Sequence, residues 1–262
     1  MTTAEISNNT RMIEIKNLAT GYGKHTVTCN LTSTIEPGKL TCLLGANGVG
    51  KSTLLRTLCT FQPPLDGDIY VNGKAVGKMT QEEKSRTIGV VLTDRIDDSL
   101  LTVHDLVALG RSPYTGFWGK LSSNDEEIVT NAMRTTGITD MKHRRVTTLS
   151  DGERQKAMIA KTLAQNTPII LLDEPTAFLD FPSKVEIMRL LRNLAHEEEK
   201  IIFMSTHDVE MALQLSDRIW LMTAQGVITG TPQELSCNGT IEKFLCCDGV
   251  SYNMGTRTII LK

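Results

Sequence analysis

Two stretches of this sequence carry the residue types of phosphate chemistry. Residues 45–52 read GANGVGKS, the pattern G-x-x-x-x-G-K-[ST], between an apolar run (LTCLL) and a helix-forming one (STLLRTL). Gly45, Gly48 and Gly50 would let a backbone fold around phosphate oxygens without Cβ clashes, and Ala46, Asn47, Val49 and Thr53 complete the candidate cradle. Lys51 would set a compact cation on the β and γ phosphates, and the Ser52 hydroxyl would ligate Mg2+. The second stretch, IILLDEP at residues 169–175, closes an apolar run with Asp173 and Glu174. Asp173 suits Mg2+ through water, and Glu174 is free to orient and deprotonate an attacking water as general base. An acidic pair at a strand end is often mere solubility; the phosphate loop is what gives this pair weight.

A third stretch, LSDGERQK at residues 149–156, has the spacing of a capping box in Ser150 and Glu153. Gly152 leaves backbone N–H groups uncovered at the positive end of the helix that follows, which suits an anion. This is either an ordinary helix start or the receiver of a phosphate that another molecule supplies.

Such groups need elements to hold them. MIEIKNL and VTCNLTSTI alternate as strands, LTCLL predicts a short buried strand, and GDIYVNGKAV predicts a hairpin turning at Asn72 and Gly73. RTIGVVL predicts another buried strand. From residue 93 to about 166 the texture is helical: TVHDLVALG, then DEEIVTNAMRTTG capped by Asn124 and stopped by Gly137, then the helix from Ser150. Beyond it come IILLD, a helix over about 182–196, IIFMS, the helix DVEMALQLS and IWLM. Alternation on both flanks of a helical insert predicts an α/β fold with a mostly parallel sheet. The stretch after about residue 249 carries no legible signal.

The bulk numbers suit one large domain, or one domain with an inserted lobe. Of 262 residues, 40% are apolar and 22% charged, and the net charge of −2 gives no electrostatic reason to expect nucleic acid. The opening stretch is polar, without the apolar run of a signal peptide, and no run approaches the roughly 18–20 apolar residues of a membrane span. Work at a membrane would need another molecule to hold the chain there. Cys29, Cys42, Cys59, Cys237, Cys246 and Cys247 form no C-x-x-C pair and read as reduced thiols.

The phosphate loop, LSDGERQ, LLDEPTAFLD and MSTHD (residues 204–208) together, in this order and at these spacings, resemble the ATP-binding-cassette family over roughly residues 12–250. The resemblance implies a P-loop NTPase (RecA-like) core, an antiparallel β subdomain, a helical subdomain inserted at about 93–166, and a tail at 251–262. It also implies ATP and Mg2+ as cofactors and a homodimer of cassettes packed head to tail. Ser150 and the backbone around Gly152 would then meet the γ-phosphate of the partner's nucleotide. His207 would contact the γ-phosphate and position the water of Glu174. Tyr22 would stack on adenine, and Asp180 would line the dimer seam.

Two places depart from the family pattern. RTIGVVL is followed by LTDRIDD, where a glutamine is usual; Thr93 stands there, and its part in the Mg2+ and water shell is open. Asp151 would repel a γ-phosphate, so its side chain is expected to face outward. The run LTVHDLVALGRSPYTGFWGK, residues 101–120, is similar to cassettes of importers of iron–siderophore complexes, haem and cobalamin, notably in L-G-R-x-P-x-x-G. That similarity implies an energy-coupling ATPase at the cytoplasmic face of the inner membrane, peripheral. Its partners would be transmembrane permease subunits and, through them, a substrate-binding protein, with iron chelate as first choice of solute. Tyr114, Phe117 and Trp118 either cover the helical lobe's core or form a docking surface for a permease helix. A soluble cassette ATPase acting on DNA or ribosomes, an export cassette, and a P-loop GTPase or kinase are the alternative readings.

Overall fold

The computed structural model describes residues 12–23, 25–92, 100–116, 119–245, 250–253 and 255–261. Thr93 and Asp94, Phe117 and Trp118, and Cys246 and Cys247 lie outside the described residues.

The described residues open with strands β1 (Ile13–Tyr22) and β2 (His25–Ile35), then enter the core through β3 (Lys39–Gly45) and helix α1 (Lys51–Leu58). The chain returns to the first layer as β4 (Asp66–Val71) and β5 (Lys74–Ala75), then crosses by α2 (Gln81–Thr87) to β6 (Ile88–Val91). Three helices follow: α3 (Val103–Ala108), α4 (Ser123–Thr135) and α5 (Asp151–Ala164). Alternation resumes with β7 (Ile169–Leu172), α6 (Phe181–Glu198), β8 (Ile201–Ser205), α7 (Val209–Leu215) and β9 (Arg218–Thr223). Strand β10 (Gly226–Gly230), α8 (Pro232–Cys237), α9 (Thr240–Leu245) and the hairpin β11 (Val250–Asn253) and β12 (Thr258–Leu261) complete it.

One sheet runs β10-β9-β3-β8-β7-β6, parallel from β9 to β6 with β10 antiparallel at the edge. The other is antiparallel, β2-β1-β4-β5. This is the α/β P-loop architecture the resemblance implied. The central strands are apolar on both faces because successive side chains point to opposite sides and both sides are covered. Leu40, Cys42 and Leu44 of β3, Ile170 and Leu172 of β7, and Ile202 and Met204 of β8 join a core with α5 and α6. Their alternates, Leu43, Ile169, Leu171, Ile201 and Phe203, join a second core with α1 and the antiparallel sheet. Cys42 and Cys59 sit inside these cores, where burial pushes both thiols up to about 12, so neither ionises near neutral pH.

The L-G-R-x-P-x-x-G run is a brace for α5. A Cβ on Gly110 would fall 2.1 Å from the Lys161 carbonyl, so only glycine lets this turn approach the helix. Buried Arg111 donates to Asp125 Oδ1 and to the Ala164 carbonyl at the C-terminal end of α5, both at 2.8 Å. Its guanidinium lies 4.0 Å from the Tyr114 ring centre, with Arg86 at 4.9 Å. Tyr114 therefore packs on the helical lobe through a buried cation while part of its ring stays exposed.

Two expectations are corrected, and one silent stretch gains a structure. RTIGVVL is not all strand: Arg86 and Thr87 end α2, which Thr80 and Glu83 start with a capping box. Ser122, not Asn124, caps α4; its hydroxyl accepts from Asp125 N–H at 3.2 Å while Asp125 Oδ2 accepts from Ser122 N–H at 2.9 Å. The silent C-terminal stretch forms the β11–β12 hairpin, which docks on α7 and α8. Ile259 N–H donates to Glu210 Oε1 at 2.6 Å, Arg257 to the Leu213 carbonyl at 3.2 Å, and the Tyr252 and Ser236 hydroxyls lie 2.7 Å apart.

Candidate nucleotide site

Strand β3 ends at Gly45 and α1 starts at Lys51, so residues 46–50 form the turn between them. Gly50 is the N-cap residue with φ 111°, a conformation that side chains resist, and a Cβ there would fall 1.9 Å from Val27 Cγ1. No side chain caps α1 and no acid occupies its first turn, so the helix presents bare N–H groups and a positive end. Lys51 lies back along the loop, donating to the Gly45 carbonyl at 2.8 Å and the Ala46 carbonyl at 3.2 Å. Burial pushes its ammonium below the usual lysine range, against the opposing charges of Glu174 and Asp173. Ser52 is exposed at the start of α1 and Thr53 is buried. Tyr22 ends β1 with 51% of its surface exposed; a hydrogen bond with Thr53, aided by Arg56, holds its phenol below the usual range.

The carboxylates follow β7, two strands from β3 in the sheet. Asp173 N–H donates to the Val91 carbonyl at 2.9 Å, which extends the β6 ladder by one residue. Glu174 has φ 47°, an uncommon left-handed backbone for a non-glycine residue. Its Oε1 lies 2.5 Å from His207 Nε2, a ring just past the end of β8. Thr206 N–H donates to the Leu43 carbonyl at 3.1 Å and anchors that turn to β3. Three adjacent parallel strands, β3, β8 and β7, thus deliver the loop, the histidine and the acidic pair at their C-terminal ends, where open α/β sheets bind ligands. One member escaped sequence reading. Ser205, fully buried, donates to Asp173 Oδ1 at 2.6 Å and accepts from Glu174 N–H at 2.9 Å. Its only sequence signal is a hydroxyl closing an otherwise apolar strand.

Ser150, Gly152 and Asp180 gather elsewhere. Ser150 caps α5 by accepting from Glu153 N–H at 3.3 Å, and Glu153 Oε2 accepts from Ser150 N–H at 2.8 Å. That backbone bond, with Arg144 beside it, holds the Glu153 carboxyl below its ordinary range. The Asp151 carboxylate pairs with Arg154 at 3.4 Å. Gly152 faces the first turn of α6, where its Cβ would lie 3.1 Å from Ser183 Oγ, and Asp180 caps α6 by accepting from Ser183 N–H at 3.1 Å. Phe178 and Phe181, 86% and 71% exposed, flank Asp180 and drew no attention in the sequence. Among the described residues, no hydrogen bond or ion pair joins Ser150, Gly152 or Asp180 to Lys51, Asp173, Glu174 or His207.

A glycine loop between a parallel strand and a helix, with its lysine facing an acidic pair on a nearby strand, defines a P-loop nucleotide-binding protein. A family model described as "ABC transporter" matches residues 28–177. The chain is 39% identical over 227 residues to the ferric enterobactin transport ATP-binding protein FepC of Escherichia coli, covering 86% of this chain and 84% of that one. It is 38% identical over 224 residues to the probable siderophore transport system ATP-binding protein YusV of Bacillus subtilis, covering 85% and 82%. The dimeric structure of MJ0796, a bacterial ABC transporter cassette, superposes with a TM-score of 0.72 at 27% identity, covering 84% and 98%. This chain belongs to the ABC transporter family, as an ATP-binding cassette with ATPase activity. The GTPase and kinase readings are thereby set aside.

Proposed function

We propose that this chain is the ATP-hydrolysing, energy-coupling subunit of an importer for iron–siderophore complexes. It works as a homodimer at the cytoplasmic face of the inner membrane, held there by permease subunits that receive solute from a substrate-binding protein. The solute is argued from the relatives that transport ferric enterobactin and siderophores. No helix among the described residues is long and apolar enough to cross a membrane.

The observation that carries the ATPase site is the Glu174–His207 pair beside Lys51. Lys51 exchanges the Gly45 and Ala46 carbonyls for β and γ phosphate oxygens, and the uncapped end of α1 adds its N–H groups. Tyr22, exposed beside Thr53, stacks on adenine. Glu174 takes the proton of the attacking water, while His207 holds the carboxylate and contacts the γ-phosphate. The Ser52 hydroxyl and the Asp173 carboxylate are hard oxygen donors that fit Mg2+, and Asp173 retains Oδ2 while Ser205 occupies Oδ1. When bound, the ion neutralises charge on the phosphates. Ser150 and the N–H groups around Gly152 stand apart from this set within one chain; in the dimer they close the partner's site, and Asp180 lines the seam.

Reconstitution with permease and binding protein tests the whole reading. ATP-driven uptake of ferric siderophore is expected, and it is lost with Glu174→Gln. Uptake of haem or cobalamin but not ferric siderophore would overturn the solute, and uptake by Glu174→Gln at the normal rate would overturn the site.

A further inference from the structure

The strained backbone of Glu174 needs a cause. An L residue resists φ 47° and stays there only where its surroundings impose it. The groups that grip this residue are few: its N–H donates to Ser205 Oγ at 2.9 Å, its carbonyl accepts from Ala177 N–H at 3.0 Å, and its carboxylate meets His207. Ser205 has its other function in use as well. Its O–H donates to Asp173 Oδ1 at 2.6 Å, and the residue has no exposed surface. A single buried hydroxyl at the end of β8 therefore links the side chain of one acidic residue to the backbone of the next.

We infer that Ser205 is a positioning residue of the ATPase site: its hydroxyl fixes the Asp173 carboxylate and the backbone of Glu174 relative to each other. This rests on the proposed function, because it assigns Asp173 to the ion and Glu174 to the water. The hydroxyl leaves Asp173 Oδ2 as the oxygen free to act and sets the direction from which the Glu174 side chain departs. Alanine at this position would leave a buried N–H and a carboxylate oxygen without their partner. Both groups would then relax to new positions, and the two carboxylates would lose their fixed spacing.

The test compares Ser205→Ala and Ser205→Thr in the full chain. For Ser205→Ala, kcat for ATP is expected to fall on the order of 10- to 100-fold, the scale of a lost charge-assisted bond, with KM changed less than about 3-fold. A second readout needs no turnover. In a Glu174→Gln background, the thermal shift and affinity gained from ATP with Mg2+ over ATP with EDTA are compared, and Ser205→Ala is expected to reduce that gain about 10-fold. Threonine, which keeps the hydroxyl, restores both. Unchanged kcat and Mg2+ dependence in Ser205→Ala would overturn the inference. So would a lower melting temperature with kcat intact, since that marks a purely structural hydroxyl. If the wild-type chain hydrolyses no ATP, or Glu174→Gln turns over normally, the proposed function fails first. If both behave as expected and Ser205→Ala is normal, this inference alone fails.

Discussion

Replacing Glu174 with glutamine isolates chemistry from architecture. Glutamine keeps the side chain's length and can still hydrogen-bond to His207, now 2.5 Å from Oε1. The bond that holds this residue's backbone runs from its N–H to Ser205, so the substitution leaves it in place. What goes is the proton acceptor and one of the two negative charges that favour the protonated ammonium of Lys51. Loss of a general base costs roughly 10²- to 10⁴-fold in turnover. At 1.36 kcal/mol per tenfold, that is about 3–5 kcal/mol of transition-state free energy. Binding groups are untouched, so ATP affinity holds or rises, and ATP-bound dimers accumulate. Phosphate release under saturating ATP measures the first effect, and size-exclusion chromatography with ATP measures the second. Turnover above about one-tenth of wild type would refute the base assignment, because no other change in the site could compensate for a missing acceptor on that scale.

Gly50→Ala forces a Cβ to 1.9 Å from Val27 at φ 111°, so it should destabilise the fold by ~1–3 kcal/mol and abolish ATP binding, read by thermal shift with and without ATP. Arg111→Ala leaves Asp125 unpaired in a site where the two side chains are only 6% and 10% exposed, and should cost about 3–5 kcal/mol in denaturant melts. The Asp125 carboxyl is held down at about 2 by Ser122 and then Arg111, below its unfolded value of about 3.9. Its contribution is therefore complete above about pH 4 and lost as pH falls from there through about 2, so the gap between melts of wild type and Arg111→Ala should narrow across that window, leaving the part due to the Ala164 and Tyr114 contacts. Asp151→Gly should change ATP turnover by less than about 2-fold, since the carboxylate is half-exposed and already paired with Arg154. A large gain would place that carboxylate against phosphate.

Much of the site was legible because its chemistry imposes local backbone demands. The glycines at 48 and 50, the hairpin turn at Asn72 and Gly73, and the Ser150–Glu153 box are decided within a few residues by φ and by unsatisfied N–H groups. The buried strands were legible too, since strands covered on both faces must be apolar throughout. Local choices between equals were not: Ser122 and Asn124 can each cap a helix, and only the Asp125 partner of Ser122 decides between them. Nor could the sequence tell that Arg86 and Thr87 belong to a helix that stops where β6 begins.

The sequence by itself determined which chemistry is on offer, because the candidate phosphate cradle, the acidic pair and the helix cap each reside in a short run of residues. Tertiary structure decided how those runs are aligned. Ser205 acts on residues 31 and 32 positions away, Arg111 on a carbonyl 53 away, and the C-terminal hairpin on α7 through Glu210 and Leu213. Such contacts form where strands and helices happen to end side by side. No periodicity or spacing along one chain encodes that meeting, since it depends on how every intervening element packs.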